Sequence, residues 1–189
     1  MKITILNGDQ GNESSRFTGF LKDLTDKLQE DNSVDLYRLQ DMNIRYCTGC
    51  WSCWWKTPGL CAIRDDSEKI LRSVISSDFL IFASPLIQGF TSSTLKKVTD
   101  RFVSLLHPYI KLINGESHHR KRYDSYPDFG LIIQREDDTD DANIKIINDI
   151  YDRIAINFHS KRRYTHFIED NQLEEIIYET TGTERITQE

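Results

Sequence analysis

Apolar and polar positions alternate in blocks along the 189-residue chain. "KITIL", Lys2 to Leu6, reads as a short buried strand, and "NGDQGNESS" after it as a loop of Gly and small polar residues. Phe17, Phe20, Leu21, Leu24 and Leu28 then recur at helical spacing. "SVDLYRL", Ser33 to Leu39, is a second strand. After a cysteine-rich stretch, Ile70, Leu71, Val74 and Ile75 form a helix stripe, with Asp65 or Asp66 placed to cap it. "DFLIFASP", Asp78 to Pro85, is a continuous apolar run of the kind expected for a strand buried on both faces. A helix carrying Leu95, Val98, Phe102, Leu105 and Leu106 follows, and His107 to Pro127 reads as irregular. "FGLIIQ" is the fourth strand, Ile144, Ile147, Tyr151 and Ile154 mark a fourth helix, and "RYTHFIE", Arg163 to Glu169, is the last strand.

Five strands alternating with four helices predict an α/β domain built on a parallel sheet. The expected layout is a single domain over residues 1-170, with a cysteine-rich insert at 41-66 and a polar tail at 171-189. Ligands of such sheets sit outside the carboxyl ends of the strands, so the loops after strands one, three and four are the ones to inspect.

Composition narrows the classes. Apolar residues make up 38% and charged residues 29% of the chain, the profile of a globular protein. A net charge of −6 argues against general affinity for nucleic acid or an anionic membrane, so any anion must be held locally. The apolar run at the N-terminus is too short for a signal-peptide core, and no stretch of about eighteen apolar residues occurs. A cytoplasmic location is the expectation, and in that reducing setting clustered cysteines favour metal or redox chemistry over disulfides.

The first loop joins a strand end to a helix start, where free backbone N–H groups and the positive helix end meet an anion. Gly8 and Gly11 allow close approach, and Ser14 and Ser15 offer hydroxyls to a phosphate. The loop is neither G-x-G-x-x-G nor G-x-x-x-x-G-K-[ST]. Asp9 opposes an anion, and an ordinary turn capped by Asn12 or Ser14 accounts for the same residues. In the loop "SPLIQGF", Leu86, Ile87 and Phe90 are apolar where solvation favours polar residues. A flat apolar ligand, a subunit partner or the core itself can cover them.

All four cysteines fall in "CTGCWSCWWKTPGLC", spaced C-x2-C-x2-C-x7-C at Cys47, Cys50, Cys53 and Cys61. Overlapping C-x2-C units are the kind of run that holds an iron-sulfur cluster, and three such thiolates can converge with the fourth closing from beyond Gly59. Zinc usually separates two C-x2-C knuckles by a longer insert. A dithiol role for one pair leaves two cysteines over. The three tryptophans of the chain flank these cysteines, so the segment packs against something large. The five histidines have no triad-like setting, and "HHRKR" reads as a solvated loop.

In order and spacing, "ILNGDQGNESS", "YCTGCWSCWWKTPGLCAIRDD", "FLIFASPLIQGF" and "TLKKVTDRF" resemble the flavodoxin-like NAD(P)H-dependent FMN reductases, most closely their iron-sulfur flavoprotein branch, over roughly residues 1 to 105. The resemblance implies a doubly wound five-stranded parallel sheet of order 2-1-3-4-5. It also implies FMN, with the phosphate on Gly8, Asp9, Gly11, Ser14 and Ser15 and the ring against Ser84, Pro85, Leu86, Ile87, Gln88 and Gly89. Cys47, Cys50, Cys53 and Cys61 would carry a 4Fe-4S cluster, with NAD(P)H as electron donor. A nicotinamide, a quinone or a redox protein would be the electron partner, in a homodimer or homotetramer with Trp54 or Trp55 at a subunit contact.

Three departures stand out. The family's G-S-P-R is here Gly8-Asp9-Gln10-Gly11, Ile87 replaces the aromatic of S-P-V-Y, and "QREDDTDD" lacks bordering glycines. The rival readings are a cluster-free FMN or quinone reductase and a flavin-free binding module shaped by its metal.

Overall fold

A computed structural model describes residues 1–11 and 15–182. The elements in chain order are β1 (Lys2–Asn7), α1 (Arg16–Gln29), β2 (Ser33–Arg38), α2 (Ser52–Trp55), α3 (Ser67–Ile75), β3 (Phe79–Ile87) and β4 (Phe90–Thr91), then α4 (Ser93–Thr99), β5 (Leu106–Ile113), β6 (Glu116–Lys121), β7 (Asp128–Gln134), α5 (Asp141–Asn157), β8 (Arg162–Phe167) and α6 (Leu173–Thr181).

Alternation along the strands decides the layering. In β3, Phe79, Ile81 and Ala83 face one side, where they pack with Phe17, Leu21 and Leu24 of α1 and Ile176 of α6. Leu80 and Phe82 face the other, among residues of α3, α4 and α5 such as Ile70, Leu95 and Tyr151. Burying both faces makes the strands apolar throughout, and fully covered strands of this kind pair in parallel. The main sheet runs β2-β1-β3-β7-β8, all in parallel, with register pairs such as Ile5↔Ile81 and Phe82↔Leu131. Counted among the parallel strands alone, that is the expected order 2-1-3-4-5, and the architecture is flavodoxin-like.

Three segments depart from the sequence reading. The stretch expected to be irregular, His107 to Pro127, holds the antiparallel hairpin β5–β6, closed by Asn114 and Gly115 at φ 52 and 82. Asn-Gly is the dipeptide that reaches both left-handed positions of a two-residue hairpin turn most cheaply. The polar tail expected at 171-189 is in part α6, because Leu173, Ile176 and Ile177 fall at i, i+3 and i+4 and seat against α1 and β8. Gly182, at φ 69, ends it. Finally, the helix expected to run to Leu106 keeps its α pitch only through Thr99. Asp100–Leu105 tightens into a 3-10 helix and carries Arg101 into the interior.

Candidate functional site

The carboxyl edge of the sheet gathers the first loop, the end of β3 and the start of α4. Gly8 donates its N–H to the Ala83 carbonyl at 2.8 Å. A Cβ there would meet Ser92 Oγ at 2.7 Å and Leu95 Cβ at 2.8 Å, so only glycine lets the loop lie this close to α4. Gln10 Nε2 reaches Ser93 Oγ at 3.2 Å, and Gln40 Nε2 donates to the Gly11 carbonyl at 3.1 Å.

Asp9 turns inward and is 8% exposed. Its carboxylate accepts from Gly11 N–H at 2.8 Å, Ser15 Oγ–H at 2.7 Å and Thr18 Oγ1–H at 2.9 Å. Those donors stand at the N-terminus of α1, where the helix dipole favours negative charge. The helix cap is Ser15, whose Oγ accepts from Thr18 N–H, where the sequence reading placed Asn12 or Ser14. Ser14 and Asn12 lie outside the described residues. Gly11 and Ser15, two of the residues expected to hold a phosphate, thus donate to the chain's own carboxylate.

Leu86 and Ile87, expected in a loop, belong to β3 together with Ser84 and Pro85. The strand folds back onto β4 through Gln88 and Gly89, both at positive φ. Leu86 tucks into the core while Ile87 stays 42% exposed. Ser84 Oγ accepts from Ser92 N–H at 2.9 Å, tying the hairpin to α4. At the turn, the carboxylate of Glu136 accepts from Gln88 N–H at 2.9 Å and Gly89 N–H at 3.1 Å. Glu136 sits in the loop after β7, and "QREDDTDD" gives no local sign of that pairing.

The cysteines lie beside the 3-10 segment that follows α4, whose Asp100, Arg101, Val103 and Ser104 share their cavity. Gly49 and Trp51 both adopt left-handed backbone, at φ 64 and 62, which curls the chain between Cys47 and Cys53. A tryptophan in that conformation is strained, and such strain collects at functional sites. Gly59, at φ 84 and packed beneath Arg122 and Tyr123, turns the chain back so that Cys61 returns to the group. Cys47, Cys50, Cys53 and Cys61 all line one cavity of about 360 Å³, with Trp54 and Arg101 in its wall.

The sulfurs stand apart around this space. Among the described residues, the three-ligand group whose atoms lie within 4.8 Å of one another is His166, Glu175 and Glu179, and no three cysteines form one. A single zinc at a Zn–S distance of about 2.3 Å would hold its sulfurs roughly 3.8 Å apart. Cys53 has its thiol pushed up by burial and by the neighbouring Cys61, Cys47 and Cys50. Cys50, exposed, is shifted the other way by hydrogen bonds from the Ser52 side chain and backbone and from the Thr48 side chain.

Arg101 closes the base of this segment from both ends. Its Nη1 donates to the Arg45 carbonyl at 3.0 Å. Its Nη2 reaches the Ile63 carbonyl at 3.1 Å, Asp65 Oδ1 at 3.2 Å and Ser67 Oγ at 2.9 Å. Nε is buried without a partner. Arg101 thus pairs with the buried Asp65 side chain and also lines the cysteine cavity. Neither Arg101 nor Asp65 was legible as part of this site, since the bonds join residues 36 apart in the chain.

Asp65 is itself buried, and burial raises its carboxyl. Hydrogen bonds from Ser67 and the Arg45 N–H, with the charge of Arg101, outweigh that and leave it below the usual carboxylate range. A depressed folded value means that its stabilisation is present above the unfolded value of about 3.9 and is lost as pH falls through the lower folded one. Urea unfolding followed from about pH 5 downward should show Asp65→Asn losing less stability with acid than the wild type. A parallel acid slope in the two proteins would overturn that assignment.

Trp54, proposed from the sequence for a subunit contact, is spent inside the fold. It is 8% exposed and its indole N–H donates to the Val103 and Leu106 carbonyls at 3.0 and 3.1 Å. Trp55 is 69% exposed. No helix among the described residues is long and apolar enough to cross a membrane.

The sequence profile of the NADPH-dependent FMN reductases matches residues 1–122. An iron-sulfur flavoprotein of Archaeoglobus fulgidus is 34% identical over 97 residues, covering 51% of this chain and 42% of that protein. An iron-sulfur flavoprotein of Clostridioides difficile is 31% identical over 105 residues, covering 53% of this chain and 45% of that protein. The matched segment thus spans less than half the length of either relative. Among solved structures, an azoreductase from Bacillus anthracis superposes with a TM-score of 0.63 at 14% identity, over 93% of this chain and 92% of that one. This last likeness is one of fold. With the profile running through well over half of its length, the chain belongs to the NADPH-dependent FMN reductase family.

Proposed function

We propose that the chain is an electron-transfer oxidoreductase that holds an iron-sulfur cluster on Cys47, Cys50, Cys53 and Cys61 and takes a flavin at the carboxyl edge of its sheet. A nicotinamide or a quinone is its small-molecule electron partner. The observation that carries the reading is the set of four cysteines lining one cavity. Membership of the family and the names of the two relatives support it. When bound, a flavin takes electrons in pairs and an iron-sulfur cluster passes them singly, so the two together couple two-electron donors to one-electron acceptors.

The chain's own part is placement and charge. The left-handed residues Gly49 and Trp51 aim the first three cysteines, the Gly59 turn returns the fourth, and Arg101 fixes the segment at its base. Ile87, at the tip of β3, offers an apolar edge to a flat ring.

Anaerobic purification followed by iron and acid-labile sulfide analysis tests the reading. Iron and sulfide in about equal amounts, lost together in Cys53→Ser while the melting temperature of the metal-free proteins stays within a few degrees, are the expected results. A colourless wild type that binds zinc instead would sink it.

A further inference from the structure

β8 is an edge strand of the main sheet, and alternation along it turns Tyr164 and His166 to the side covered by α6. The His166 ring is 7% exposed. Its Nδ1–H donates to Gln172 Oε1 at 2.7 Å, and its Nε2 meets Glu179 Oε2. Glu175 stands one turn before Glu179, so the two carboxylates share a face of α6 at i and i+4. One ligand atom from each of His166, Glu175 and Glu179 lies within 4.8 Å of the other two. From Leu173 to Thr181 the helix carries three glutamates and neither Lys nor Arg. Glu174 pairs with Lys27 of α1, and Glu179 has the His166 ring as its ion-pair partner.

We propose that His166 Nε2, Glu175 and Glu179 form a site for a divalent transition-metal ion of the zinc class, which staples α6 to β8. An amide oxygen only accepts, so Gln172 fixes the hydrogen on Nδ1 and leaves the Nε2 lone pair of the neutral ring facing carboxylates that offer lone pairs in return. A cation has to stand between them. A proton bridges Nε2 and Glu179 and leaves Glu175 unmatched, whereas a divalent ion serves all three. Holding the far ring nitrogen on an oxygen acceptor is also how a metal-binding histidine is oriented. One imidazole with two carboxylates suits zinc and its first-row neighbours better than soft copper(I) or an all-oxygen calcium site. Bonds of about 2.0–2.2 Å would bring the ligand atoms to roughly 3.4 Å from one another. Rotation of the more exposed Glu175 and Glu179 side chains closes that gap while the buried ring stays in place. Water completes the coordination. This site shares no residue with the cysteine cavity or the flavin edge and does not depend on either reading.

Two measurements on the full chain decide it. In equilibrium dialysis against zinc, Glu175→Gln should retain about one ion per chain fewer than the wild type. Zinc taken up by the cysteines is common to both proteins and cancels in the difference, and Glu175 is exposed, so the variant is expected to fold. Amide hydrogen exchange reports the location. Zinc should slow exchange in α6 of the wild type by about tenfold or more and leave α6 of Glu175→Gln unchanged. An ion held by the cysteines alone slows residues 47 to 61 and not α6. Equal zinc content in the two proteins, or zinc that leaves exchange in wild-type α6 as it was, overturns the proposal and reduces the three residues to a hydrogen-bonded ion pair. The wild-type exchange result stands on its own should the variant not fold.

Discussion

Arg101→Met is expected to cost the fold about 3–5 kcal/mol, read as a lower urea midpoint in the metal-free protein. The guanidinium is 1% exposed, and it faces an Asp65 side chain that is 0% exposed, at 3.2 Å. Removing the cation strands a buried carboxylate and frees two backbone carbonyls, those of Arg45 and Ile63, that had been satisfied from one side chain. The effect should be uneven across the molecule. Residues 45 to 65 lose the clasp at their base, so amide exchange there should quicken more than in β1 or β3. Replacing the pair together, as Arg101→Met with Asp65→Leu, should recover part of the loss because no unpaired charge remains. A loss below about 1 kcal/mol in the single variant would show that water already satisfies Asp65.

Gly130→Ala is expected to be the most damaging single methyl in the sheet, at about 3 kcal/mol or more. A Cβ at Gly130 would overlap the ring and hydroxyl of Tyr164 on the neighbouring strand. That ring has nowhere to go. It is 5% exposed, stacks on Phe79 with centroids 5.9 Å apart, and hydrogen-bonds Thr180 on α6 at 2.8 Å. Displacing it breaks a buried hydrogen bond and loosens α6 from β8 in one step. The register shift between Phe129 and Gly130 shows that the two strands already bend to admit the ring. Thermal unfolding measures the cost, and Tyr164→Ala should abolish most of the additional penalty of Gly130→Ala. If Gly130→Ala melts with the wild type, the packing described between β7 and β8 is wrong.

Much of the fold was legible because its strands are buried on both faces and so announce themselves as unbroken apolar runs. "FLIFA" and "GLII" can hardly be anything else between polar loops, and helices with stripes such as Phe17, Leu21, Leu24 and Leu28 between them leave few topologies. What escaped was of two kinds. The hairpin β5–β6 was masked by the basic composition of β6 and the Pro in β5, although Asn114-Gly115 marked its turn. The helix α6 needs α1 and β8 beside it before two isoleucines outweigh its polar remainder.

At the site, the cysteine grouping could be read directly, since four like residues in fifteen positions are a local fact. The roles of Asp9, Glu136 and Arg101 could not. Whether a loop carboxylate turns outward or inward depends on donors such as Thr18 Oγ1 that only the folded chain brings near, and Glu136 meets Gln88 across 48 positions. An acid in a phosphate loop was visible as a departure from pattern. That it satisfies the loop's donors is a property of the tertiary arrangement.

The packing of Trp54 has an optical consequence. All three tryptophans of the chain lie within five positions, Trp51 and Trp54 meet edge to face with centroids 4.9 Å apart, and both line the cysteine cavity. Indole emission from this protein is therefore a signal from one loop, with no background from elsewhere in the sheet or helices. Any coloured occupant of the cavity sits within energy-transfer range of every emitter, so filling and emptying can be followed in unlabelled protein by the brightness of its own ultraviolet fluorescence.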